Sequence, residues 1–319
     1  MKMYRIGIDF GGTNIAVGLV DEELKVVRKA SLPTKKGERH PDEMVADMAT
    51  LCRRLVKEQG IDFSQVAGIG IASPGVVNSK TGVVEYYCGM EMNHYKMADL
   101  LSSLLDGYRP IYMENDANAA ALGEVKAGAA KGANNALMIT LGTGVGGGIV
   151  IDGKIYSGFN FAAAELGHTV IEKDGVPCAC GRKGCWEKYS SASGLIRMTK
   201  EKMEERKDSL MWTLCPEIDK VSGRTAYDAA KKGDEAALEV VAKYQDYLAV
   251  GLANMVNIFQ PEVLLIGGGV CGEGDYLLTP VNAQVMEEQY AKTSARKTKL
   301  AIAALGNDAG IVGAAALGL

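Results

Sequence analysis

Two short stretches decide the fold: Ile8-Asp9-Phe10-Gly11-Gly12-Thr13-Asn14 and Thr140-Leu141-Gly142-Thr143-Gly144. Each is an apolar run that meets a Gly/Thr turn and comes back as a second apolar run, over residues 15–20 in the first copy and 147–151 in the second. Both returns end on an acidic turn, Asp21-Glu22 and Asp152-Gly153. Alternating apolar residues joined by a tight glycine turn predict a strand pair. Two copies of one supersecondary unit, roughly 130 residues apart, predict two similar α/β halves. Matching halves that face each other leave a cleft, a favoured place for a ligand.

The segments between the two turns agree with that architecture. Pro41–Gln59 carries Met44, Val45, Met48, Leu51, Leu55 and Val56 at helical spacing. Residues 67–72 predict a buried strand stopped by Ser73-Pro74-Gly75, followed by a helix near 97–105 and a strand over 110–114. The alanine-rich run 116–130 predicts a helix with Asn115 and Asp116 as cap residues. Ala136–Leu141 predicts the strand that leads into the second turn. Residues 234–259 predict one long helix, 263–266 a strand ending in Gly267-Gly268-Gly269, 300–304 a last strand and 308–317 a last helix. Strands alternating with helices indicate α/β layers.

Composition narrows the class. A chain of 319 residues, 47% of them apolar, suits two domains better than one. A net charge of −4 with no basic block argues against nucleic acid as partner. The first nine residues are interrupted by Arg5 and Asp9 and have no signal-peptide pattern. No apolar run approaches the roughly 18 residues of a membrane span. A cytoplasmic protein without membrane partners is therefore expected. Seven cysteines, an odd number, argue against a disulfide framework. Cys52, Cys88, Cys215 and Cys271 are scattered and read as small buried apolar side chains. Cys178, Cys180 and Cys185 are crowded, and His168 precedes them by ten residues. Three thiolates and an imidazole suit a closed, structural zinc site. His40 and His94 read as surface residues.

Two well-known glycine motifs fail. Gly142, Gly144 and Gly147 satisfy G-x-G-x-x-G, but strand rather than helix follows. Residues 148–154 resemble a P-loop, yet Ile155 stands where a magnesium-binding Ser or Thr belongs. The better reading is a pair of turns whose backbone N–H groups converge on phosphate, with Thr13 and Thr143 adding hydroxyl donors. Asp9 is placed to orient a hydrated magnesium ion. The third glycine cluster, 267–269, strengthens the case for nucleotide binding.

At this level of detail the chain resembles the ROK family, named for its repressors, open reading frames and kinases, and most of all its bacterial glucokinases. Asp9-Phe-Gly-Gly-Thr-Asn14 and Leu141-Gly-Thr-Gly-Val-Gly-Gly-Gly148 resemble the family's phosphate loops, and Ile266-Gly-Gly-Gly269 its adenosine-side loop. Glu114-Asn-Asp-Ala-Asn118 resembles the catalytic segment. Glu165-Leu-Gly-His168 and Cys178-Ala-Cys-Gly-Arg-Lys-Gly-Cys-Trp-Glu187 resemble the sugar and zinc signature. The resemblance implies a two-domain actin-like ATPase fold of the sugar kinase/hsp70/actin type with a central cleft. The small domain would span 1–115, the large domain with its zinc loop 116–307, and the helix 308–319 would return to the small domain.

The resemblance further implies ATP, Mg²⁺ and structural Zn²⁺, with Asp9, Gly11, Gly12, Thr13, Asn14, Gly142, Thr143, Gly144, Gly267, Gly268 and Gly269 on the nucleotide. Asp116 would be the base that accepts the sugar hydroxyl's proton. Gly75, Asn115, Asp116, Glu165, His168 and Glu187 would line the sugar pocket. A homodimer or homotetramer is expected. The implied reaction is phosphorylation of a hexose at its 6-hydroxyl, glucose first. N-acetylmannosamine and N-acetylglucosamine kinases share the Cys-x-Cys-Gly signature, and the loop 86–95 departs from many glucokinases of the family, with Asn93 in place of a clear match. A repressor of the family would carry a DNA-binding segment of tens of residues ahead of the first turn; the sequence reaches Asp9 almost at once, so a repressor is not expected. A sugar-binding module without catalysis would be expected to lose the base or a phosphate loop.

Overall fold

The structure is a computed structural model that describes residues 2–87 and 89–319, so the expectation for Cys88 lies outside the described residues. The strands and helices up to residue 127 are β1 (Tyr4–Phe10), β2 (Asn14–Val20), β3 (Val26–Pro33), α1 (Pro41–Gln59), β4 (Val66–Ser73), β5 (Val76–Asn78), β6 (Val83–Tyr86), α2 (Met97–Leu104), β7 (Ile111–Asn115) and α3 (Asp116–Ala127). Then come β8 (Ala136–Leu141), β9 (Val145–Ile151), β10 (Lys154–Ile155), α4 (Glu187–Ser190), α5 (Ala192–Glu205), α6 (Leu210–Leu214), α7 (Gly223–Ala230) and α8 (Glu235–Phe259). The chain closes with β11 (Val263–Gly267), α9 (Asp275–Glu288), β12 (Lys299–Ile302) and α10 (Ala309–Ala316). One five-stranded sheet has the order β3-β2-β1-β4-β7 and the other β10-β9-β8-β11-β12. Counted from its own first strand, each reads third, second, first, fourth, fifth, the same order in both, as the repeated turn predicts.

Packing divides the chain into two units. The first comprises Met1–Met138, Gly148–Ala164 and Ala303–Leu319; the second comprises Ile139–Gly147 and Glu165–Ile302. This division does not coincide with a boundary after Asn115. Helix α3 stays with the first unit because Glu124, fully buried on it, accepts backbone N–H bonds from Ala129 (2.7 Å), Ala304 (3.1 Å) and Leu305 (2.7 Å). A buried carboxylate is stable only when its oxygens are so engaged. The three bonds tie the C-terminal end of α3 to the segment that enters α10.

In the first unit β1 pairs antiparallel with β2 and parallel with β4. Alternation along β1 sends Ile6, Ile8 and Phe10 into a core shared with Met44, Met48, Leu51 and Leu55 of α1. Helix α1 forms where its pattern predicts: His40 caps its first turn, Pro41 sits at the first position, and Gly60 ends it with φ 71°. The opposite sheet face carries no side chain at its centre. Gly18, Gly7 and Gly70 stand in register across β2, β1 and β4. Helix α10, with all its residues buried, lies over them. A Cβ on Gly7 would fall 1.9 Å from Ile311 O, and one on Gly70 1.8 Å from Ala314 O. On its other side α10 meets α3, where a Cβ on Gly313 would fall 1.8 Å from Ala119 O.

In the second unit β11 runs parallel to β12 in register from Val263↔Lys299 to Ile266↔Ile302. The long helix α8 begins on Asp234, whose side chain accepts from Ala237 N–H at 2.8 Å. It buries one face, including Val240, Tyr244, Leu248 and Leu252. Trp186, fully buried, reaches Gly251 of α8, and its indole N–H donates to Tyr247 O at 3.0 Å. No helix among the described residues is long and apolar enough to cross a membrane. Cys52 and Cys271 are buried as expected, but Cys215 is only half-buried; it follows the short helix α6, and its thiol donates to Glu217 O.

The glycine row yields a first test. Gly70→Ala must push α10 off the sheet and should cost about 1–3 kcal/mol or more in chemical denaturation, as overpacking a close contact does. Gly272→Ala, where a Cβ meets nothing within 4 Å, is the matched control and should be near neutral. Equal midpoints for the two variants would disprove the close seat of α10.

Candidate phosphate and sugar sites

The first phosphate-type turn closes in two residues. Gly11 N–H donates to Asn14 O at 2.9 Å, leaving Gly12 and Thr13 at the tip. Buried Thr34, just past β3, holds the turn from outside: its N–H donates to Thr13 O (2.8 Å) and its hydroxyl to Gly11 O (2.7 Å). The carbonyls of Gly11, Thr13 and Asn14 are thus occupied. Among the described residues no backbone hydrogen bond engages the N–H of Gly12 or Thr13. This is the arrangement an anion needs. Tyr87 lies close by, with its hydroxyl 4.0 Å from a Cβ placed on Gly12 and Lys36 Nζ 5.4 Å from its ring centroid.

Asp9 stands at the end of β1 against the first turn of α10, where a Cβ on Gly310 would fall 2.5 Å from its carboxyl carbon. Burial there pushes its pKa up to about 6, and the neighbouring charge of Asp116 adds to the rise. Asp116 opens α3. Asn115 is the N-cap: its Oδ1 accepts from Ala117 N–H (3.0 Å) and Asn118 N–H (3.2 Å). Asp116 is the first helical residue rather than a second cap, and its Oδ1 accepts from Ala117 N–H at 2.8 Å. The Asn115 amide also donates to Gly75 O at 3.2 Å, which brings Gly75 and Asn115 together. Gly75 has φ 87°, and a Cβ there would collide with Tyr86 O at 2.4 Å. Asn93 is exposed, on a loop anchored by buried Met92.

Glu114, Asn118 and Ser157 had no assigned role in the sequence. Glu114 is 4% exposed, and Ser157 Oγ donates to its Oε2 at 2.8 Å. Glu114 and Asn118 bound the segment that resembles the family's catalytic motif, but the resemblance gave a role only to Asn115 and Asp116 between them.

The second unit carries the remaining candidates. Gly142 N–H donates to Gly144 O (3.0 Å), and Gly142 O accepts from Ala192 N–H (2.9 Å). Gly268, with φ 102°, approaches this turn so closely that a Cβ would lie 2.3 Å from Leu141 O. The second turn and the 267–269 cluster are therefore neighbours. Gly144 lies against Glu187, with 2.6 Å between a Cβ placed there and Glu187 Oε2.

Ligand atoms of His168, Cys178, Cys180 and Cys185 all lie within 4.8 Å of one another. Cys180 Sγ is 3.6 Å from Cys185 Sγ, and Cys178 Sγ is 3.7 Å from His168 Nδ1. The Nδ1 side of His168 faces the sulfurs, while Nε2 is 3.9 Å from Glu165 Oε2. Glu187 Oε1 accepts from the Cys178 thiol at 3.2 Å and lies 4.0 Å from His168 Nδ1. Glu165, His168 and Glu187 thus meet around one imidazole. His40 and His94 are exposed.

A family model described as ROK family matches residues 5–319. A glucokinase of Halalkalibacterium halodurans is 37% identical over 312 residues, covering 97% of this chain and 92% of its own. Among solved structures, a ROK family glucokinase from Streptomyces griseus in complex with glucose and AMPPNP is similar at TM-score 0.81 and 32% identity, with 98% of each chain covered. A ROK family transcriptional regulator, a homolog of the E. coli MLC protein, has TM-score 0.84 at 25% identity and covers 98% of this chain and 77% of its own. With a family model spanning the chain from Arg5 to its last residue, and a glucokinase 37% identical over nearly its whole length, the chain belongs to the ROK family.

Proposed function

We propose that the chain is an ATP-dependent hexose kinase that phosphorylates glucose at the 6-hydroxyl. The observation that carries this reading is the Asp9–Asp116 pair: two carboxylates of the first unit, close enough for one to raise the pKa of the other, beside a turn whose Gly11, Thr13 and Asn14 carbonyls are occupied. Phosphoryl transfer to a sugar needs these parts: N–H donors for phosphate, a carboxylate for hydrated magnesium and a carboxylate to take the hydroxyl proton. Asp9 is assigned to magnesium and Asp116 to the proton. Gly11, Gly12, Thr13 and Asn14, with Gly142, Thr143 and Gly144, are assigned to the phosphates, and Gly267, Gly268 and Gly269 to the adenosine side. The kinship with glucokinases, one of them solved with glucose and AMPPNP, supports the choice of donor and sugar.

Glu165, His168 and Glu187 are assigned to the sugar hydroxyls, with Gly75 and Asn115 lining the pocket. Asn115 has one amide hydrogen to offer, since its oxygen caps α3 and its other N–H meets Gly75 O. The four-ligand cluster fits zinc. Zn–S bonds of about 2.3 Å in a tetrahedron put sulfurs about 3.8 Å apart, close to the 3.6 Å between Cys180 and Cys185. With no fifth donor in the cluster, zinc there would be structural, fixing the loop that carries His168 and Glu187. A cytoplasmic location and assembly as a homodimer or homotetramer complete the proposal; light scattering reads the assembly.

Three measurements test this reading. In a coupled assay glucose should consume ATP and yield glucose 6-phosphate. Asp116→Asn should keep sugar binding and lose about 10²–10⁴-fold in turnover. ATP use with N-acetylhexosamines alone would reassign the sugar, and no ATP use with any hexose would remove the kinase reading.

The second follows from Asp9. Its carboxyl must be ionised to hold a cation, and in the folded protein it keeps its proton up to about pH 6. The KM for MgATP should therefore rise as pH falls through about 6, and Asp9→Asn should flatten that limb. A KM independent of pH across this range in the parent enzyme contradicts the assignment.

The third is metal content. Purified protein should hold about one zinc per chain, and Cys180→Ser should lower both zinc and sugar affinity. Normal sugar binding by zinc-free protein would refute the structural role.

A further inference from the structure

Glu114 is a nearly buried carboxyl at the end of β7, immediately before Asn115 and Asp116. Its Oε1 accepts from Asn115 N–H at 2.9 Å and from the Asn118 amide at 3.3 Å. Its Oε2 accepts from Ser157 Oγ at 2.8 Å. Burial pushes its pKa above the usual range, and these three bonds work against the rise. A carboxyl kept here at a desolvation cost does more than fill space, since an apolar side chain of the same size would pack without that cost.

Its partners indicate what it does. Asn115 and Asn118 form the first turn of α3, around Asp116. Asn118 passes the contact on, because its Oδ1 accepts from Ile149 N–H at 3.4 Å. Ser157 opens the segment that runs to Ala164, the residue before Glu165. That segment is strained: Phe161 (φ 65°) and Ala164 (φ 68°) both occupy the left-handed region without being glycine. Such a conformation is unfavourable for a residue with a Cβ and persists only where its surroundings hold it. Ser157 holds this one from both sides, its hydroxyl on Glu114 and its carbonyl accepting from Ala163 N–H at 3.0 Å. The loop has little other anchorage at its tip, where Phe159 is 97% exposed.

We propose that Glu114 is a positioning residue: one carboxyl oxygen fixes the corner that presents Asn115 and Asp116, and the other, through Ser157, holds the strained 158–164 loop that leads into Glu165. The proposal rests on the reading of Asp116 as base and Glu165 as a sugar ligand. It gives two substitutions different signatures. Loss of Glu114 disturbs both the base and the loop, whereas loss of the Ser157 hydroxyl disturbs the loop alone.

The test compares Glu114→Ala, Glu114→Gln, Ser157→Ala and Asp116→Asn with the parent enzyme by steady-state kinetics and thermal melting. Glu114→Ala should lower kcat/KM for the sugar by about 10²-fold, the scale of a small misplacement of reacting groups, with the KM for MgATP unchanged. Glu114→Gln should restore most of it, because the amide oxygen can accept from Asn115 and Asn118 while its NH₂ donates to Ser157. Ser157→Ala should raise the sugar KM and leave kcat near the parent value.

Parental sugar KM and kcat in Glu114→Ala would overturn the proposal. So would a Glu114→Ala deficit that tracks the loss of folded protein, with both KM values moved alike. If Glu114→Ala does not fold, Ser157→Ala decides, and a parental sugar KM there overturns it. Parental turnover in Asp116→Asn would sink the base reading and with it the half of the proposal that concerns the corner; the Ser157→Ala sugar KM then decides the other half.

Discussion

Helix α10 can reach the first sheet only because three strands offer it no side chain at the centre of their shared face. Gly18, Gly7 and Gly70 are paired neighbours on β2, β1 and β4; the helix carbonyls of Ile311 and Ala314 occupy the space where Cβ atoms of Gly7 and Gly70 would stand, and the Ile311 side chain that of Gly18. Close approach exchanges the flexibility cost of glycine for dense packing of a helix that is apolar all round. The same helix must also accept α3, and Gly313 gives it room against Ala119. One short helix is thereby fixed from two sides. Glu124 adds a polar lock at the far end, tying α3 to the segment that delivers α10.

The electrostatics of the first unit follow from this seating. Because α10 sits so low on the sheet, its residue Gly310 covers Asp9 and removes much of its water. Because α3 is locked to α10, Asp116 at its start is held within electrostatic reach of Asp9. Desolvation is the larger cause of the raised pKa, and the like charge the smaller. A carboxylate pair strained in this way is relieved by a cation, so the packing that destabilises the pair also suits it to a positive charge. Glu114, buried just before Asp116, adds a third acidic group held by hydrogen bonds alone.

Much of the fold was legible because periodicity and punctuation agreed. Pro41–Gln59 has apolar spacing, a proline at its start and Gly60 at its end, and forms as one helix with those bounds. Ala136–Leu141 is likewise a strand as expected, and the long helix begins on Asp234. Elements that lacked such agreement were not read. Strand β3 is mostly exposed and carries Arg28 and Lys29, so its pattern resembles a loop. Helix α9 contains Pro280, which sequence reasoning takes as a breaker. In the site, cysteine spacing announced the cluster that His168 completes, and glycines announced the turns. Glu114 stands in the motif that ends on Asn118, but its role was not legible because its partnership with Ser157 spans 43 residues and Ser157 lies in no recognisable spacing.

The two glycine turns show how a repeated signal can be supported by unrelated neighbours. In the first, Thr34 takes up the carbonyls of Gly11 and Thr13. In the second, Ala192 N–H takes up Gly142 O, and Gly144 closes on Gly142. The neighbours differ, one at the end of a strand and one at the start of a helix, yet the physical result is the same. A turn that is to receive phosphate must turn its carbonyl oxygens elsewhere, because a lone pair facing the anion would repel it. Among the described residues the backbone N–H groups of Thr143 and Gly144, like those of Gly12 and Thr13, are not engaged by other backbone groups. Gly11, Gly12, Gly142 and Gly144 are not in the left-handed region, so what glycine supplies here is the missing side chain that leaves the N–H groups open to approach. The occupied carbonyls, which no motif records, explain why both turns are suited to an anion.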